Sequence, residues 1–340
     1  GSEMCIRDRD KIMNFDIIGV GNALVDEIYY VSKEFIDKTA LNFNQFKPIS
    51  FQEQERIIAL LPDGEKKELV CGGSSTNSLA AASNYGSLCA HICQLGEDEM
   101  GIKYEQDLSL NNIKIVNTFK HKSFKTGRCL VFITPNSERT MGTYLGASEQ
   151  LNFLDSFIDN VNSSKILFSE GYQFTSDQNY YSFTKILKNT ASNVKFALSL
   201  SDPFVIQNYR KRFEEVIKIK KIDYLFCNRE EAITMCGDNY SERLKEISNN
   251  FVVTDGSNES FIFDGKNESK LKALKVNAID SNGAGDIFAG SALHKIIDGK
   301  DFVTACSFGN YASSKIVQEK SPRMSADGYK NIKNSFELLQ

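Results

Sequence analysis

The sequence predicts an α/β protein whose mainly parallel sheet is covered by helices on both faces, with a small separate β-sheet beside it. Two observations predict this architecture. Over residues 166–236, short apolar segments alternate with amphipathic ones, which is typical of consecutive parallel β-α units. Over residues 126–145, by contrast, two strand-like segments are joined by a short turn at residues 135–137, which predicts a hairpin without an intervening helix.

The composition is that of an ordinary globular protein and argues against several function classes. The 340 residues have room for one large domain or for two. Lysine and arginine number 40 against 44 acidic residues, so we expect neither nucleic acid nor an anionic membrane as a partner. No apolar run reaches the roughly 18 residues of a membrane span, and no signal peptide is visible. Eight scattered cysteines predict reduced thiols in a cytoplasmic protein.

The first elements follow a segment that we expect to be foreign to the fold. Residues 1–12 begin like a tag remnant and lack periodicity, so we place the domain at residues 13–340. Residues 15–20 predict a buried strand that ends in a glycine turn, but the third glycine of a dinucleotide fingerprint is missing. Residues 23–31 predict a second strand, in which Asp26 is either a surface charge or a ligand for hydroxyl groups.

A glycine pair then precedes a helix made of small residues. Gly72 and Gly73 are followed by Ser74 and Asn77, which offer backbone and side-chain donors to a polar ligand. A generic strand-to-helix turn explains the pair equally well. A strand at residues 90–95 and a helix at 98–110 come next.

In the second half, polar residues follow the predicted strands. Ligands of parallel sheets gather at the carboxyl ends of strands, where Asp202, Asn228 and Thr254 stand. Asn228 and Glu231 are three residues apart at a helix start, so both can face one point and hold water around a magnesium ion. A capping box accounts for the same two residues equally well.

The segment 280–290 (DSNGAGDIFAG) carries the strongest chemical signal. Its glycines permit a tight backbone, and residues 287–297 predict a buried helix that Asn282 or Ser281 caps. The N–H groups and the positive dipole end of such a helix suit a phosphate. A carboxylate there would repel phosphate, so we predict that Asp286 removes a proton from an attacking hydroxyl. The alternative is a carboxylate that stabilises the first turn.

Together, these motifs resemble those of the ribokinase-type (PfkB) carbohydrate and nucleoside kinases over about residues 14–323. The resemblance is carried by segment 280–290 and by Gly72-Gly73 with Asn77. Within that family the adenosine kinase branch is the most similar, in the segments 21–26, 72–78, 198–204 and 309–314. Where that branch has an aromatic pair, this chain has Tyr172 and Gln173, which leaves a different base or a plain sugar open.

The resemblance implies a three-layer αβα ribokinase-like domain with a mainly parallel central sheet and a small β-sheet lid, from about residues 23–50 and 115–145. It implies transfer of the γ-phosphoryl group of ATP to the primary 5′ hydroxyl of a nucleoside, with adenosine giving AMP. The alternative is a sugar kinase of the same family, for ribose, fructose or a sugar phosphate. Mg²⁺ is the implied cofactor, a monovalent cation stays open, and the expected state is a monomer or homodimer. No Walker-type phosphate loop occurs, and a binding regulator without catalysis is disfavoured because Asp286 is retained.

The resemblance also assigns roles to individual residues. The catalytic set is Asp286 as general base, the amides of Gly283, Ala284 and Gly285 as the anion hole, and Arg139, which would reach the phosphates when the lid closes. The acceptor substrate would contact Asn22, Asp26, Gly72, Gly73, Ser74, Asn77 and Tyr172. ATP would contact Asn228, Thr254, Gly256 and Asn310. Magnesium would be held by Asn228 and, through water, by Glu231.

Overall fold

The computed structural model describes residues 14–43, 46–62, 67–135 and 138–339, with Phe46 described by its backbone alone. The predicted extraneous segment at residues 1–12 and part of the predicted hairpin turn lie outside these ranges. Within the described residues, no helix is long and apolar enough to cross a lipid bilayer.

The described residues form strands and α-helices in the following chain order. The strands are β1 (Ile17–Val20), β2 (Leu24–Tyr30), β3 (Phe46–Pro48), β4 (Glu68–Gly72), β5 (Cys89–Ile92), β6 (Leu95–Gly96), β7 (Ile113–Ile115), β8 (Lys120–His121), β9 (Gly127–Ile133), β10 (Arg139–Tyr144), β11 (Ile166–Glu170), β12 (Lys195–Ser199), β13 (Ile222–Asn228), β14 (Ser248–Thr254), β15 (Ser260–Phe263) and β16 (Glu268–Leu271). The helices are α1 (Lys33–Ile36), α2 (Phe51–Ile58), α3 (Ser74–Asn84), α4 (Glu99–Leu110), α5 (Ser156–Asn162), α6 (Asp177–Lys188), α7 (Pro203–Ile219), α8 (Arg229–Cys236), α9 (Tyr240–Ile247), α10 (Ala284–Ile297), α11 (Phe302–Ile316) and α12 (Ala326–Glu337).

The main sheet has nine strands in the order β16-β15-β14-β13-β12-β11-β1-β5-β7. The seven strands from β14 to β7 run parallel, and β15 and β16 continue the sheet antiparallel. Strand β1 lies between β11 and β5, and all four of its residues are buried, which explains its unbroken apolar sequence. The predicted α/β class with a mainly parallel sheet is therefore confirmed.

Helices cover both faces of this sheet, and alternate strand residues show which face each layer occupies. In β11, Leu167 packs into one apolar core with side chains of α5 to α9, such as Phe213 of α7. Its neighbour Phe168 packs into the opposite core with side chains of α3, α4, α10 and α11, such as Leu293. Because successive side chains of a strand point to opposite faces, the molecule has three layers.

The second sheet has five strands in the order β3-β10-β9-β2-β4. Strands β9 and β10 pair antiparallel, as the hairpin pattern predicted, and β2 runs parallel to β9. Tyr29 of β2 packs on one face against Phe132 and Phe35, beneath α1. The other face, with Leu24 and Asp26, points toward the main domain and lines a cavity.

Helices α3 and α10 pack so closely that their contact is expected to tolerate only glycine at position 290. A Cβ atom at Gly290 would lie 2.0 Å from the carbonyl oxygen of Ser78, which is backbone and cannot rotate away. We therefore expect Gly290→Ala to lower the free energy of unfolding by about 3 kcal/mol, the upper part of the usual range for overpacking. Urea denaturation followed by circular dichroism measures this loss.

Gly328→Ala in α12 is the matched control for that substitution. The nearest atoms to its Cβ would be side-chain atoms at 3.1 Å or more, from Met324 and Ser325. Alanine also favours a helix over glycine by about 1 kcal/mol. Unchanged stability in Gly290→Ala, relative to Gly328→Ala, would mean that the two helices can separate without cost.

Candidate active site

A cavity of about 1020 Å³ lies between the carboxyl ends of the main-sheet strands and the inner face of the five-stranded sheet. This position follows the general rule for ligands of parallel sheets. The main domain contributes Asn22, Gly73, Ser74, Asn77, Glu170, Tyr172, Ser199, Asp202, Asn228, Glu231, Thr254, Gly283, Gly285 and Asp286. The five-stranded sheet contributes Leu24, Asp26, Ile28, Lys47, Gly72, Cys129, Val131, Arg139, Met141 and Thr143.

The start of α10 forms one end of this cavity. Gly283 is the N-cap and adopts the left-handed conformation, with a φ of 76°, which favours glycine. The predicted cap by Asn282 or Ser281 is therefore wrong, because the chain turns into the helix one residue later. A Cβ at Gly283 would lie 2.8 Å from the carbonyl oxygen of Pro322, so space also demands glycine. Glycine has no capping side chain, and this helix end keeps backbone N–H groups available for an anion.

Asp286 lies in the first turn of α10 and accepts hydrogen bonds at both carboxylate oxygens. Ser74 Oγ donates to Oδ1 at 2.5 Å, and Asn77 Nδ2 donates to Oδ2 at 2.9 Å. Burial raises the pKa of Asp286 to about 6, and these two hydrogen bonds and the charge of Arg323 oppose that rise. The carboxylate is therefore mostly ionised at neutral pH, in the state that can accept a proton from a hydroxyl group.

The residue behind Asn77 was not predicted from the sequence. Arg323 Nε donates to Asn77 Oδ1 at 2.7 Å, and Arg323 Nη1 donates to Asp107 Oδ2 at 2.6 Å. Arg323 lies in the polar connection between α11 and α12, which matches no motif. Only the folded chain brings it beside α3.

Three side chains hold Asn22 in place. Its Oδ1 accepts from Gln173 Nε2 at 2.9 Å and from Asn179 Nδ2 at 3.1 Å, and its backbone N–H donates to Glu170 Oε1 at 2.9 Å. Because the oxygen of its amide is occupied, the Nδ2 donors of Asn22 remain for a ligand in the cavity. Gln173 is buried and does not line the cavity, so its amide acts on a ligand only indirectly, through its hydrogen bond to Asn22.

Glu170 is a second residue that the sequence analysis missed. It ends strand β11, and its carboxylate joins the turn after β1 to the start of α3, because Ser75 N donates to Oε2 at 2.5 Å. Burial raises the pKa of Glu170 to about 7, while the two backbone hydrogen bonds act in the opposite direction. The rule that drew attention to Asn228, a polar residue at the carboxyl end of a buried strand, applies equally to Glu170.

Asp26 faces the cavity from strand β2, so its interpretation as a plain surface charge is wrong. Burial raises the pKa of Asp26 to about 6, and the charges of Arg323 and Arg139 counteract it. Gly72 lies on the neighbouring strand β4, two residues beyond the position that pairs with Asp26, and an added Cβ there would be 3.2 Å from Asp26 Oδ2. This close approach keeps both carboxylate oxygens near the glycine pair.

Arg139 connects the five-stranded sheet to the segment before α10. Its guanidinium forms an ion pair with Asp280, the first residue of the segment 280–290. Both side chains are mostly buried, at 22% and 15% exposure. Salt and water therefore screen the attraction between their charges only weakly. Arg139 thus lies beside the helix end that suits an anion.

Asn228 and Glu231 form the capping box that the local sequence favours. Asn228 Oδ1 accepts from Glu231 N at 2.8 Å, and Asn228 N donates to Glu231 Oε2 at 3.1 Å. Burial raises the pKa of Glu231 to about 7, and the negative charges of Asp202 and Asp286 add to this effect. Such mutual repulsion among acids around one cavity favours a bound cation.

The polar side chains around Glu231 fit a hydrated magnesium ion better than a metal held by side chains alone. No group of three or more His, Cys, Asp and Glu residues in the described part of the chain has the arrangement of a metal cluster. Mg²⁺ keeps several waters and needs few protein ligands, so a hydrated ion in this cavity would need only one or two protein partners.

Three predicted ligand residues do not lie on the cavity wall. Gly256 is exposed, with a φ of 56°, in the turn after β14. Asn310 donates from Nδ2 to the carbonyl oxygen of Lys272 at 3.0 Å, outside the cavity. Ala284 begins α10, and its N–H bonds to the carbonyl oxygen of Ser281 at 3.2 Å, whereas Thr254 and Tyr172 do line the cavity.

The chain is similar to one family of proteins over most of its length. Residues 54–327 match the pfkB family carbohydrate kinase profile. "Adenosine kinase 1" of Arabidopsis thaliana is 23% identical over 333 residues, covering 89% of this chain and 94% of that protein. The structure of a probable sugar kinase from Rhizobium etli CFN 42 superposes with a TM-score of 0.85 at 25% identity, covering 95% of this chain and 99% of the other. Adenosine kinase from Sinorhizobium meliloti gives a TM-score of 0.84 at 24% identity, with 95% and 100% covered.

The family match covers most of the chain, and the two solved structures share its whole fold. The chain therefore belongs to the pfkB family of carbohydrate kinases and is an ATP-dependent kinase that acts on a hydroxyl group.

Proposed function

We propose that this kinase transfers the γ-phosphoryl group of ATP to the primary 5′ hydroxyl of a nucleoside, adenosine giving AMP, with Asp286 as the general base. One observation carries the choice of a nucleoside. On the inner face of the five-stranded sheet, Asp26 is surrounded by apolar side chains that line the cavity, namely Leu24, Ile28, Val131 and Met141.

These apolar side chains distinguish a nucleoside from a plain sugar. A free sugar exposes hydroxyl groups on every side and needs polar partners for each of them. A nucleoside joins a ribose, which suits a carboxylate such as Asp26, to a flat and largely apolar base. An apolar wall next to a hydroxyl-binding carboxylate therefore matches the two halves of one nucleoside. Tyr172 adds an aromatic ring at the cavity wall, which can pack against a base.

The chemistry follows from the position of Asp286. The ionised carboxylate accepts the proton of the 5′ hydroxyl as the hydroxyl oxygen attacks the γ-phosphorus, and the bond from that phosphorus to the β-phosphate oxygen breaks, so that ADP leaves. The amides of Gly283 and Gly285, which line the cavity, would face the negative charge on the phosphate. Asn228 and, through water, Glu231 would hold Mg²⁺, which would neutralise part of the negative charge of the phosphates. Thr254, at the cavity wall, would contact ATP.

We also propose that the five-stranded sheet acts as a lid on the single domain. Its strands β2, β3, β9 and β10 lie within the predicted ranges of about 23–50 and 115–145, whereas β4 lies outside both ranges and was not predicted as part of the lid. Closure of such a lid excludes water, which competes with the acceptor hydroxyl for the phosphoryl group. Arg139 links the sheet to Asp280 and would exchange that carboxylate for a phosphate when ATP is bound.

We expect Arg139→Ala to lower kcat by about 10²-fold, with a smaller change in KM, because the arginine would meet the charge that develops during transfer. Steady-state kinetics with varied ATP and acceptor measures both constants. Arg128→Ala in β9 is the matched control, since that guanidinium bonds to Gln54 and Glu55 instead. A change confined to KM would place Arg139 in ground-state binding.

A sugar or sugar phosphate is the second candidate acceptor. It is favoured by Lys47 of β3, which lines the cavity on the same sheet and would suit a second phosphate group. The acceptor panel should therefore contain adenosine, inosine, ribose, fructose and tagatose 6-phosphate, with ATP consumption as the readout.

We expect the highest kcat/KM of this panel for adenosine. A higher kcat/KM for ribose or for a sugar phosphate than for any nucleoside would overturn the nucleoside proposal and favour the second candidate. The Asp286→Asn variant controls for ATP consumption that does not depend on the acceptor.

A further inference from the structure

We propose that Arg323 and Asp107 are positioning residues that hold the Asn77 side-chain amide in the one orientation in which its NH₂ group donates to Asp286. This inference rests on the proposed role of Asp286 as general base. Neither residue touches the reacting atoms. Asp107 acts through Arg323, and Arg323 acts both through Asn77 and through its positive charge near Asp286.

Four elements meet in this arrangement. Asp107 of α4 accepts from Arg323 Nη1 at 2.6 Å, Arg323 Nε donates to Asn77 Oδ1 of α3 at 2.7 Å, and Asn77 Nδ2 donates to Asp286 Oδ2 of α10 at 2.9 Å. The side chain of Arg323 is 8% exposed and Asn77 is 6% exposed. Arg323 and Asn77 are thus shielded from water. Hydrogen bonds in such a low-dielectric environment are stronger than hydrogen bonds exposed to water.

The direction of these hydrogen bonds follows from the chemistry of the guanidinium. Arginine can donate but cannot accept, so the Nε proton requires the oxygen end of the Asn77 amide. The nitrogen end must then point to Asp286. If the amide turned round, its oxygen would face the carboxylate, and two acceptors would lie in contact without a proton between them. Arg323 therefore decides which end of a nearly symmetrical side chain meets Asp286.

This orientation favours the ionised form of Asp286. Hydrogen bonds to a carboxylate and a nearby positive charge both lower its pKa, against the effect of burial. The other titratable groups whose charges interact with Asp286 are acidic or neutral. They are Glu170 and Tyr172 at the end of β11, Glu231 on α8 and Tyr329 on α12. Lys320 also lines the cavity.

The test is the dependence of kcat on pH at saturating ATP and acceptor. In Arg323→Met we expect the acidic limb of the profile to move upward by about one pH unit, since loss of a neighbouring charge changes a pKa by about 1–3 units. At pH 6 the ionised fraction of Asp286 should fall from about one half to about one eleventh, so kcat should fall about fivefold relative to the parent, and at pH 8.5 it should stay within about threefold. Saturation is needed because Arg323 also acts on Asp26, which affects acceptor binding.

Two further variants separate charge and position from a purely structural role. Arg323→Lys keeps the positive charge and N–H donors, so we expect the acidic limb to lie close to its position in the parent. Arg210→Met removes a different, half-buried arginine. Arg210 caps α8 by donating to the carbonyl oxygens of Thr234 and Met235 and has no hydrogen bond to Asn77 or Asp286 among the described residues. This control should lose stability without a shift of the limb. An equal loss of kcat at every pH in Arg323→Met would overturn the inference.

A titration without substrates separates this inference from the proposed function. The carboxyl carbon of Asp286 can be followed by ¹³C NMR in the ligand-free protein and assigned by its absence in Asp286→Asn. We expect its midpoint to rise by about one pH unit in Arg323→Met. If the midpoint does not move while the parent phosphorylates adenosine, the inference fails and the proposed function stands. If it moves while no acceptor of the panel is phosphorylated, the proposed function fails instead.

Discussion

Asp286→Asn is expected to lower kcat by about 10²–10⁴-fold while ATP binding is preserved, since a positioned general base contributes a factor of that size. Asparagine has nearly the same shape, and its amide can still accept from Asn77 Nδ2 or bond to Ser74 Oγ, so the fold around α10 should persist. The loss of a negative charge beside the phosphate site should also hold or raise the affinity for ATP. A coupled assay measures kcat, and isothermal titration calorimetry measures the dissociation constant of ATP.

Asp223→Asn is the matched control for a buried carboxylate outside the cavity. Asp223 accepts from Lys195 Nζ at 3.1 Å and from Phe196 N at 2.9 Å, near the amino-terminal ends of β12 and β13. Its replacement should affect stability and leave kcat nearly unchanged. Turnover of Asp286→Asn within about threefold of the parent would show that another group takes the proton.

The same carboxylate predicts the pH range of activity. Because the pKa of Asp286 is raised to about 6 and its ionised form is the one that accepts a proton, kcat should decline as the pH falls through that value. Asp286→Asn should lack this limb, which provides a second readout of the same role.

The parts of the structure that were predicted from the sequence depend on local patterns. The apolar strands around β1 and the helix α10 follow from runs of neighbouring residues, and glycines mark the tight turns at residues 72–73 and 283–285. The capping box of Asn228 and Glu231 is equally local. Each of these features involves residues a few positions apart, so hydrophobic periodicity and turn chemistry suffice to predict them.

The contacts that the sequence analysis missed join residues far apart in the chain. Arg323 meets Asn77 across 246 positions, and Glu170 meets Asn22 across 148. No local pattern encodes such pairs, because they arise only when the sheet order brings β11 beside β1 and the connection before α12 beside α3. The cap of α10 was misplaced for a related reason. A side chain that can cap was preferred over a glycine, whereas the space beside Pro322 admits only glycine.

A 2′-deoxynucleoside is expected to be about 10²-fold poorer as an acceptor than its ribo counterpart, measured as kcat/KM. Asp26 offers two carboxylate oxygens from strand β2, and each can accept one of the two vicinal hydroxyls of a ribose. When the 2′ hydroxyl is missing, a buried carboxylate oxygen loses its hydrogen-bond donor and water cannot easily replace it. The comparison of adenosine with 2′-deoxyadenosine and 3′-deoxyadenosine tests both oxygens separately.

Asp26→Asn is the variant that connects this selectivity to the carboxylate. Its amide keeps one acceptor oxygen, so the preference for the ribo form should shrink to about tenfold or less while the fold is preserved. Burial raises the pKa of Asp26 to about 6, so the preference of the parent should also weaken as the pH falls below that value and the carboxylate becomes protonated. A parent that uses adenosine and 2′-deoxyadenosine within about threefold of each other would show that Asp26 does not hold the ribose. In that case the apolar wall formed by Leu24, Ile28, Val131 and Met141 would have to orient the acceptor through its base alone.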